Sequence, residues 1–262
     1  NDGSVGTANY WLFIPTVFCE NRNLDVIKEA MHNELGYAVT DKYKSYTKSL
    51  LAAYQEGKSF YTQPVDAALA EIARLPGKHL YFLDDHLFAN EAFAGELFEG
   101  MKGMGRVWQA AATVQSILKP GLLEKAVECG LKSLFVGFET LNPNSLKEQH
   151  KYHNLNRDYD QAIRRLHDYG VMVNGSFVFG MDSDDNTVFD YTVEWAIKQG
   201  IETATFHILT PYPGTPLYDR LQASNRIISN NWDLYNTRHV VYQPANITKE
   251  ELEAGYKRSY DN

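Results

Sequence analysis

The feature that most constrains the fold is a repeated order of helix, glycine and strand along the chain. Five glycines each follow a helix-like stretch and precede an apolar strand-like stretch, at intervals of 28, 25, 40 and 30 residues: Gly77, Gly105, Gly130, Gly170 and Gly200. Glycine readily adopts the left-handed conformation that ends many helices. Apolar strands that alternate with helices are typical of a parallel sheet covered by helices. The pattern therefore predicts an α/β fold.

Helices and strands follow each other in a regular order from residue 65 onward. Helices are predicted at residues 65–77, 90–105, 121–130, 159–169 and 187–200, and strands at residues 78–85, 106–114, 133–140, 171–182 and 203–213. A sixth strand is predicted at residues 10–18. No Gly-x-Gly-x-x-Gly turn joins these strands to a helix, which argues against a dinucleotide-binding sheet. We therefore predict a partial (β/α)6 TIM-like barrel with parallel strands, whose polar strand ends share one mouth.

Composition excludes several classes of function. The chain of 262 residues is 44% hydrophobic and 22% charged, as expected for a globular protein with a full core. Its 25 basic and 33 acidic residues give a formal net charge of -8, so neither nucleic acid nor an anionic membrane is an expected partner. No apolar run is long enough to span a bilayer, and the first residues lack a signal-peptide pattern. A soluble, cytoplasmic protein is expected.

The first candidate site residues lie where predicted strands end. Asp84 and Asp85 close one strand and are followed by His86. Paired carboxylates bind an ammonium group, hold a metal or share a proton; the alternative is a helix cap beside a solvated acid. Glu139 directly follows the apolar run SLFVGF, where a charge must be paired or face a cavity. Glu139 is therefore the sharper candidate.

Polar residues also occur within the later strands. Asn174 and Ser176 alternate with apolar neighbours, so they either face the barrel interior or are hydrogen-bonded core residues. His207 shares one face of its strand with Thr205 and Leu209, and it is either a ligand-binding or a core histidine.

Three further groups have both a structural and a functional interpretation. Gln109 and Gln115 lie on or just beyond a strand and are either ligand-binding or surface amides. An acidic cluster precedes a predicted helix, where the helix dipole favours it without any metal: Asp182, Asp184 and Asp185. Residues 210–216, TPYPGTP, form a rigid turn that either redirects the chain or holds the edge of a flat ring.

Four segments, in this order and spacing, resemble the motifs of the radical S-adenosylmethionine (radical SAM) superfamily: YFLDDHLF, SLFVGFETLNP, NGSFVFGMDSDD and HILTPYPGTPLYDRL. The resemblance is greatest to the cobalamin-domain-associated branch. It implies a partial (β/α)6 barrel that holds S-adenosylmethionine against a [4Fe-4S] cluster. It also implies reductive cleavage to a 5'-deoxyadenosyl radical, which abstracts hydrogen from a small-molecule substrate.

The resemblance further implies which residues bind the cofactor, all of them on or after predicted strands. Those implied at the methionine amino group and the ribose are Asp84, Asp85 and Glu139. Those implied around the adenine ring are Ser176, Phe177, Val178, Gly180, His207, Thr210 and Pro211. The chemistry agrees, because an ammonium group needs carboxylates, ribose hydroxyls need an acceptor, and adenine needs backbone groups and a flat apolar wall.

One part of the family pattern is missing. The family holds its cluster through three cysteines in a CxxxCxxC motif after the first strand, which leaves one iron open for the cofactor. This chain has two cysteines, Cys19 and Cys129, and residues 42–55 contain none. Cys129 lies in a helical pattern, LLEKAVECG, where a small buried apolar residue is usual. A [4Fe-4S] cluster is thus expected for the family but not supported by these cysteines, and no metal ligands are predicted.

Three functional hypotheses follow. The first is a radical SAM-type enzyme that binds S-adenosylmethionine. The second is a catalytically inactive barrel scaffold or nucleoside-binding protein without an iron-sulfur cluster. The third is a metal-dependent hydrolase that uses Asp84, Asp85, His86 and His207.

The chain is divided into three parts by these patterns. Residues 1–60 are predicted to be an atypical N-terminal segment that includes the first strand, and residues 61–220 a radical SAM-like barrel core. Residues 221–262 are predicted to be a C-terminal extension, with a helix that begins at a capping box of Thr248 and Glu251.

Overall fold

The computed structural model describes residues 63–84, 86–142 and 158–261. This part of the chain contains five β-strands and eight α-helices, which alternate as the glycine pattern predicts. The strands are β1 (His79–Tyr81), β2 (Val107–Ala112), β3 (Leu131–Glu139), β4 (Met172–Phe179) and β5 (Thr203–Ile208). The helices are α1 (Val65–Arg74), α2 (Glu91–Met101), α3 (Val114–Leu118), α4 (Leu122–Glu128), α5 (Tyr159–Asp168), α6 (Val188–Lys198), α7 (Pro216–Ala223) and α8 (Lys249–Arg258).

The five strands form one parallel sheet in the order β1-β2-β3-β4-β5. Each strand pairs with the next one along the chain, as in a barrel, without the reversal of order found in doubly wound sheets. The sheet curls into a half-barrel, which confirms the prediction of a partial TIM-like barrel with parallel strands. The strand predicted at residues 10–18 lies outside the described residues.

One face of the sheet packs against the helices through an aromatic stack. Phe177 stacks on Phe138 and Phe206, with ring centroids 5.5 and 5.8 Å apart. Trp195 of α6 and Tyr159 of α5 meet Phe138 edge-on, with centroid distances of 5.5 and 5.1 Å. The three phenylalanines are buried. Because aromatic rings bury a large apolar area, this stack anchors the sheet to α5 and α6.

All five glycines that precede the strands have a positive φ: Gly77 (78°), Gly105 (64°), Gly130 (105°), Gly170 (63°) and Gly200 (69°). Gly130 is the most constrained by its surroundings, because a Cβ there would lie 1.9 Å from the carbonyl oxygen of Arg106. The Gly130 carbonyl also accepts a 3.0 Å hydrogen bond from the backbone of Trp108. Only glycine therefore allows β3 to begin this close to β2.

Arg106 connects the end of α1 to the start of β2. Its Nη2 donates to the carbonyl oxygens of Ile72 and Leu75 at 2.6 and 3.0 Å. Its Nη1 donates to the carbonyl of Gly77. The Ile72 carbonyl also accepts from the backbone nitrogen of Leu75 at 3.3 Å, so the guanidinium adds to the capping of that helix end and ties the following turn to β2.

Two helices, α3 and α7, were not predicted from the sequence. The short helix α3 follows β2 directly and begins at Thr113, whose side chain accepts a 3.3 Å hydrogen bond from the backbone of Ser116. This cap competes with continuation of the strand. Gln115 therefore lies on a helix, where it is exposed, and not at a strand end.

The C-terminal residues pack along the outer edge of β5. Residues 63–212 and 217–262 form one compact unit. The Tyr260 hydroxyl accepts from the backbone nitrogen of Phe206 at 2.8 Å and donates to its carbonyl at 2.9 Å. The carbonyl of Thr237 accepts from the Ile208 nitrogen at 2.7 Å. These contacts occupy backbone groups that a further strand would use. The domain boundaries at residues 60 and 220 stay a prediction.

The predicted capping box at the start of α8 is confirmed. The Thr248 side chain accepts from the backbone of Glu251 at 3.1 Å, and the Glu251 carboxylate accepts from the backbone of Thr248 at 2.7 Å. None of the helices in the described part of the chain combines the length and the apolar character needed to cross a membrane.

Candidate functional site

The face of the sheet opposite the helices, which we call the inner face, carries a band of polar residues. The strand register sets Ser176 beside Thr205 and Val178 beside His207. Neighbours in a parallel ladder point to the same side, and Phe177 between them points to the helices, so these residues point to the inner face. By the same alternation and register, the polar residues of the inner face include Gln109, Ser133, Asn174, Ser176, Thr203, Thr205 and His207.

Glu139 ends β3 in a conformation that is uncommon for a residue with a side chain. Its φ is 66°, and the register between β3 and β4 shifts between Gly137 and Glu139. The carboxylate folds back over Gly137, since a Cβ built there would lie 3.0 Å from Oε1 of Glu139. Gly137 and Ser176 are register partners on the inner face, so the negative charge lies beside that face. A strained backbone at a charged residue is a recurrent feature of binding sites.

His207 lies on the inner face of β5, where its Nδ1 is 3.3 Å from Oγ1 of Thr237. Burial lowers the pKa of His207, and the negative charge of Glu139 opposes this effect. The imidazole is therefore neutral at neutral pH, with one ring nitrogen that donates and one that accepts. The structure thus brings Glu139 and His207 near each other from strands on either side of β4.

The β4 residues implied at the adenine ring face two different sides. Ser176 is 7% exposed and Val178 is half-buried, and both point to the inner face. The Phe177 side chain lies in the aromatic stack against the helices. At residue 177, only the backbone could therefore contact a ligand on the inner face.

Asn174 lies on the inner face nearer to the start of β4. Its side-chain oxygen Oδ1 is buried and has no hydrogen-bond partner among the described residues. Leaving a buried polar atom without a partner costs about 1–3 kcal/mol. Because this atom is buried, the acceptor is enclosed by the protein and is not itself exposed to a ligand.

Gly180 follows β4 and is covered by the C-terminal residues. Its φ is 97°, and a Cβ there would lie 2.5 Å from the Tyr242 hydroxyl and 2.8 Å from Cδ2 of Leu252. The Tyr242 hydroxyl donates to the Gly180 carbonyl, and burial raises the pKa of Tyr242. The requirement for glycine here is explained by this packing.

The segment after β5 is turned inward at its first residues. Thr210 and Pro211 are buried, and the Thr210 hydroxyl donates to the Ile208 carbonyl at 3.0 Å. Tyr212 is 45% exposed. The start of the segment predicted to close over the adenine ring is therefore held in place by the hydrogen bond between Thr210 and Ile208.

The turn after β1 lies beside the end of β2. Asp84 is exposed, and Nε2 of His86 is 3.4 Å from Oγ1 of Thr113. Asp85 lies outside the described residues, so the predicted carboxylate pair is placed at one member only.

The acidic cluster after β4 makes contacts within the protein. Asp182 pairs with the Arg226 guanidinium at 2.5 and 3.1 Å. The buried carboxylate of Asp184 accepts from the backbone nitrogens of Gly180 and Met181, both at 2.9 Å. Asp185 accepts from the backbone and hydroxyl of Thr187 at the start of α6, which lowers its pKa. These contacts agree with the structural interpretation of the cluster.

The residues of this chain do not fit a [4Fe-4S] cluster held by three thiolates, because the sequence has two cysteines. Cys129 ends α4, and burial raises the pKa of its thiol to about 11, which disfavours the thiolate. Cys19 lies outside the described residues. Within residues 63–84, 86–142 and 158–261, no three His, Cys, Asp or Glu side chains are grouped so that they could hold a metal ion.

Two residues next to the site were not singled out from the sequence. Thr237 contacts His207 across 30 residues, and Tyr242 contacts Gly180 across 62 residues. Neither follows a strand of the repeat, so no local pattern marks them.

Comparisons of sequence give two kinds of match. A family model described as D-galactarate dehydratase/altronate hydrolase, second domain, matches residues 1–74. The chain is also 33% identical over 202 residues to bacteriochlorophyllide d C-12(1)-methyltransferase of Chlorobaculum tepidum, covering 75% of this chain and 44% of that protein. It is 31% identical over 158 residues to hopanoid C-2 methylase of Rhodopseudomonas palustris, covering 58% and 30%. The chain thus spans less than half the length of these curated relatives.

Solved structures show a similar fold. The radical S-adenosylmethionine methyltransferase TsrM from Kitasatospora setae, with cobalamin and a [4Fe-4S] cluster bound, superimposes with a TM-score of 0.55 at 14% identity, over 62% of this chain and 32% of that one. Coproporphyrinogen III oxidase (HemN) from Escherichia coli, a radical SAM enzyme, gives a TM-score of 0.50 at 10% identity, over 86% and 46%. Together, the relatives and the shared fold confirm the resemblance that the four sequence motifs indicated.

Proposed function

We propose that this chain, a relative of the radical SAM methyltransferases, forms the barrel that binds S-adenosylmethionine in an enzyme acting on a small molecule. The observation that carries the proposal is the grouping of Glu139, Ser176 and His207 on three neighbouring strands, at the inner face. Parallel barrels bind ligands at the carboxyl ends of their strands. The polar residues Ser176 and His207 on the inner face near these ends support a polar ligand there.

Each part of the cofactor is assigned to residues of matching chemistry. Asp84 and Asp85 receive the methionine ammonium group, because it needs anionic acceptors. Glu139 accepts hydrogen bonds from the ribose hydroxyls. The adenine ring is lined by residues 176–180 and 207–211, because it needs backbone donors and acceptors beside an apolar surface. In the first range the lining groups are Ser176, Val178, Gly180 and the backbone of Phe177.

Reductive cleavage of S-adenosylmethionine to a 5'-deoxyadenosyl radical is the reaction that the resemblance implies. It requires an electron delivered to the sulfonium, which a [4Fe-4S] cluster supplies in the family. Because the two cysteines of this chain do not fit that cluster, we assign cofactor binding to these residues and derive no cleavage step. We also propose a cytoplasmic location. The names of the methyltransferase relatives support the further proposal of a small organic substrate.

Calorimetric titration of the full chain with S-adenosylmethionine and, separately, with adenosine tests this assignment. Adenosine keeps the ribose and the base but lacks the methionine part. Glu139→Gln is expected to lower the affinity for both ligands by about tenfold, which corresponds to the loss of one charge-assisted hydrogen bond. Asp84→Asn is expected to weaken S-adenosylmethionine alone, by a smaller factor because Asp84 is exposed.

Glu194→Gln, at an exposed carboxylate of α6, is the matched control and should change neither affinity. If Asp84→Asn weakened adenosine binding as much as Glu139→Gln does, the assignment of Asp84 to the methionine end would be contradicted. Absence of heat with S-adenosylmethionine for the wild-type chain would reject the proposed function and leave only a scaffold.

A further inference from the structure

Thr237 holds the end of β5 from outside the sheet. Its carbonyl accepts a 2.7 Å hydrogen bond from the backbone nitrogen of Ile208. Its hydroxyl oxygen lies 3.3 Å from Nδ1 of His207. One residue therefore contacts two successive residues of β5, one through the backbone and one through the imidazole of the candidate site.

The contacts of the Thr237 hydroxyl bear on which nitrogen of His207 carries the proton. A hydroxyl group has a single hydrogen to donate, and that of Thr237 is donated to the Asn236 carbonyl at 2.7 Å. Toward His207, the same oxygen can only accept. Nδ1 of His207 therefore carries its hydrogen, and Nε2 of the neutral ring keeps its lone pair.

Thr237 makes these contacts in a strained backbone conformation. Its φ is 63°, a region in which β-branched residues are rare. The side chain of Asn236 holds the turn, because Oδ1 accepts from the Arg238 backbone at 3.2 Å and Nδ2 donates to the Asp233 carbonyl at 2.9 Å. A glycine or asparagine would adopt this conformation more easily. The strain indicates that the threonine side chain itself is needed here.

We propose that Thr237 is a positioning residue that fixes His207 as the Nδ1–H tautomer, so that Nε2 accepts a hydrogen bond from a ligand on the inner face. The donors that S-adenosylmethionine offers are the ribose hydroxyls and the exocyclic amine of adenine. The identity of this ligand rests on the proposed function. The tautomer of His207 does not, because it follows from contacts within the protein.

Nitrogen-15 NMR of the labelled full chain at pH 7.5 reads the tautomer directly. The His207 signal is identified among the eight histidines by its loss in His207→Gln. The wild-type protein is expected to show Nδ1 protonated and Nε2 bare. Thr237→Val keeps the shape of the side chain without the hydroxyl and is expected to give a mixture of tautomers, whereas Thr237→Ser should restore the wild-type spectrum.

Thr237→Gly separates positioning from folding. It removes the hydroxyl together with the backbone strain, so thermal stability should be equal to or above that of Thr237→Val while control of the tautomer is lost. In calorimetry with S-adenosylmethionine, Thr237→Val and Thr237→Gly should lose roughly five- to tenfold in affinity, and Thr237→Ser should not.

Retention of the Nδ1–H spectrum in both Thr237→Val and Thr237→Gly would overturn the positioning role. A changed spectrum with unchanged affinity would overturn the contact between Nε2 and the ligand. If the wild-type chain bound no S-adenosylmethionine while the spectrum changed as expected, the proposed function would fail and the positioning role of Thr237 would stand.

Discussion

The carboxylate of Glu139 lies over the α-carbon of Gly137, so close that a Cβ at residue 137 would come within 3.0 Å of Oε1. The two residues flank the shift in register between β3 and β4, and Glu139 has a φ of 66°. The position of this charge therefore depends on the missing side chain two residues earlier. The glycine and the acid form one structural unit at the end of β3.

Replacing Gly137 with alanine is expected to lower the free energy of unfolding by about 1 kcal/mol, because the new methyl group displaces the carboxylate. Urea denaturation measures the loss. In a Glu139→Ala background the methyl group meets no carboxylate, so the same substitution should cost clearly less. An equal cost in both backgrounds would show that the two side-chain positions are independent.

Replacing Gly180 with alanine is expected to lower the free energy of unfolding by about 3 kcal/mol, because overpacking adds to the cost of a positive φ. The added Cβ would lie 2.5 Å from the Tyr242 hydroxyl. Gly170→Ala is the matched control, since Gly170 has a φ of 63° and nothing within 4 Å of a Cβ. The control should lose only about 1 kcal/mol in the same denaturation experiment. Similar losses at both positions would contradict the role of packing at Gly180.

His207 should make the folded state less stable in acid. Its pKa is lowered in the folded protein by burial, so the unfolded chain binds the proton more tightly. The effect of His207 on the free energy of unfolding is constant above the pKa of the unfolded chain, about 6.5. Below that pH, His207 lowers the free energy of unfolding increasingly as the pH falls. Stability curves of wild type and His207→Gln, measured from pH 7.5 to 5.5, should therefore differ in slope, with the flatter curve for the variant. Parallel curves would contradict the lowered pKa.

Asp184→Asn should destabilise the turn after β4 by about 2 kcal/mol, because the buried carboxylate accepts charge-assisted hydrogen bonds from two backbone nitrogens. Thermal unfolding measures the change. Asp185→Asn is the comparison, since Asp185 is an exposed acid of the same cluster, and its loss should be clearly smaller. A larger effect at Asp185 would place the main contribution at the start of α6 and not in the turn.

The strands and most helices could be predicted from the sequence because their signals are local. A glycine that ends a helix and an apolar run that forms a buried strand each depend on a few neighbouring residues, and all five such glycines have a positive φ. The gathering of Glu139 and His207 could also be predicted, because parallel strands of a barrel bring their carboxyl ends together. The helices α3 and α7 were missed, and for α3 the reason is a threonine cap at residue 113 that ended β2 within an otherwise continuous pattern.

By itself, the sequence determined the order of the strands, the polar character of their ends and the absence of a third cysteine. Only the tertiary structure decided that Phe177 faces the helices, that Glu139 turns back over Gly137, and which residues hold the site from outside the sheet. Thr237 and Tyr242 reach β5 and Gly180 across 30 and 62 residues. Contacts over such distances depend on how whole elements pack, because a residue's neighbours in space are then set by the fold and not by the chain around it.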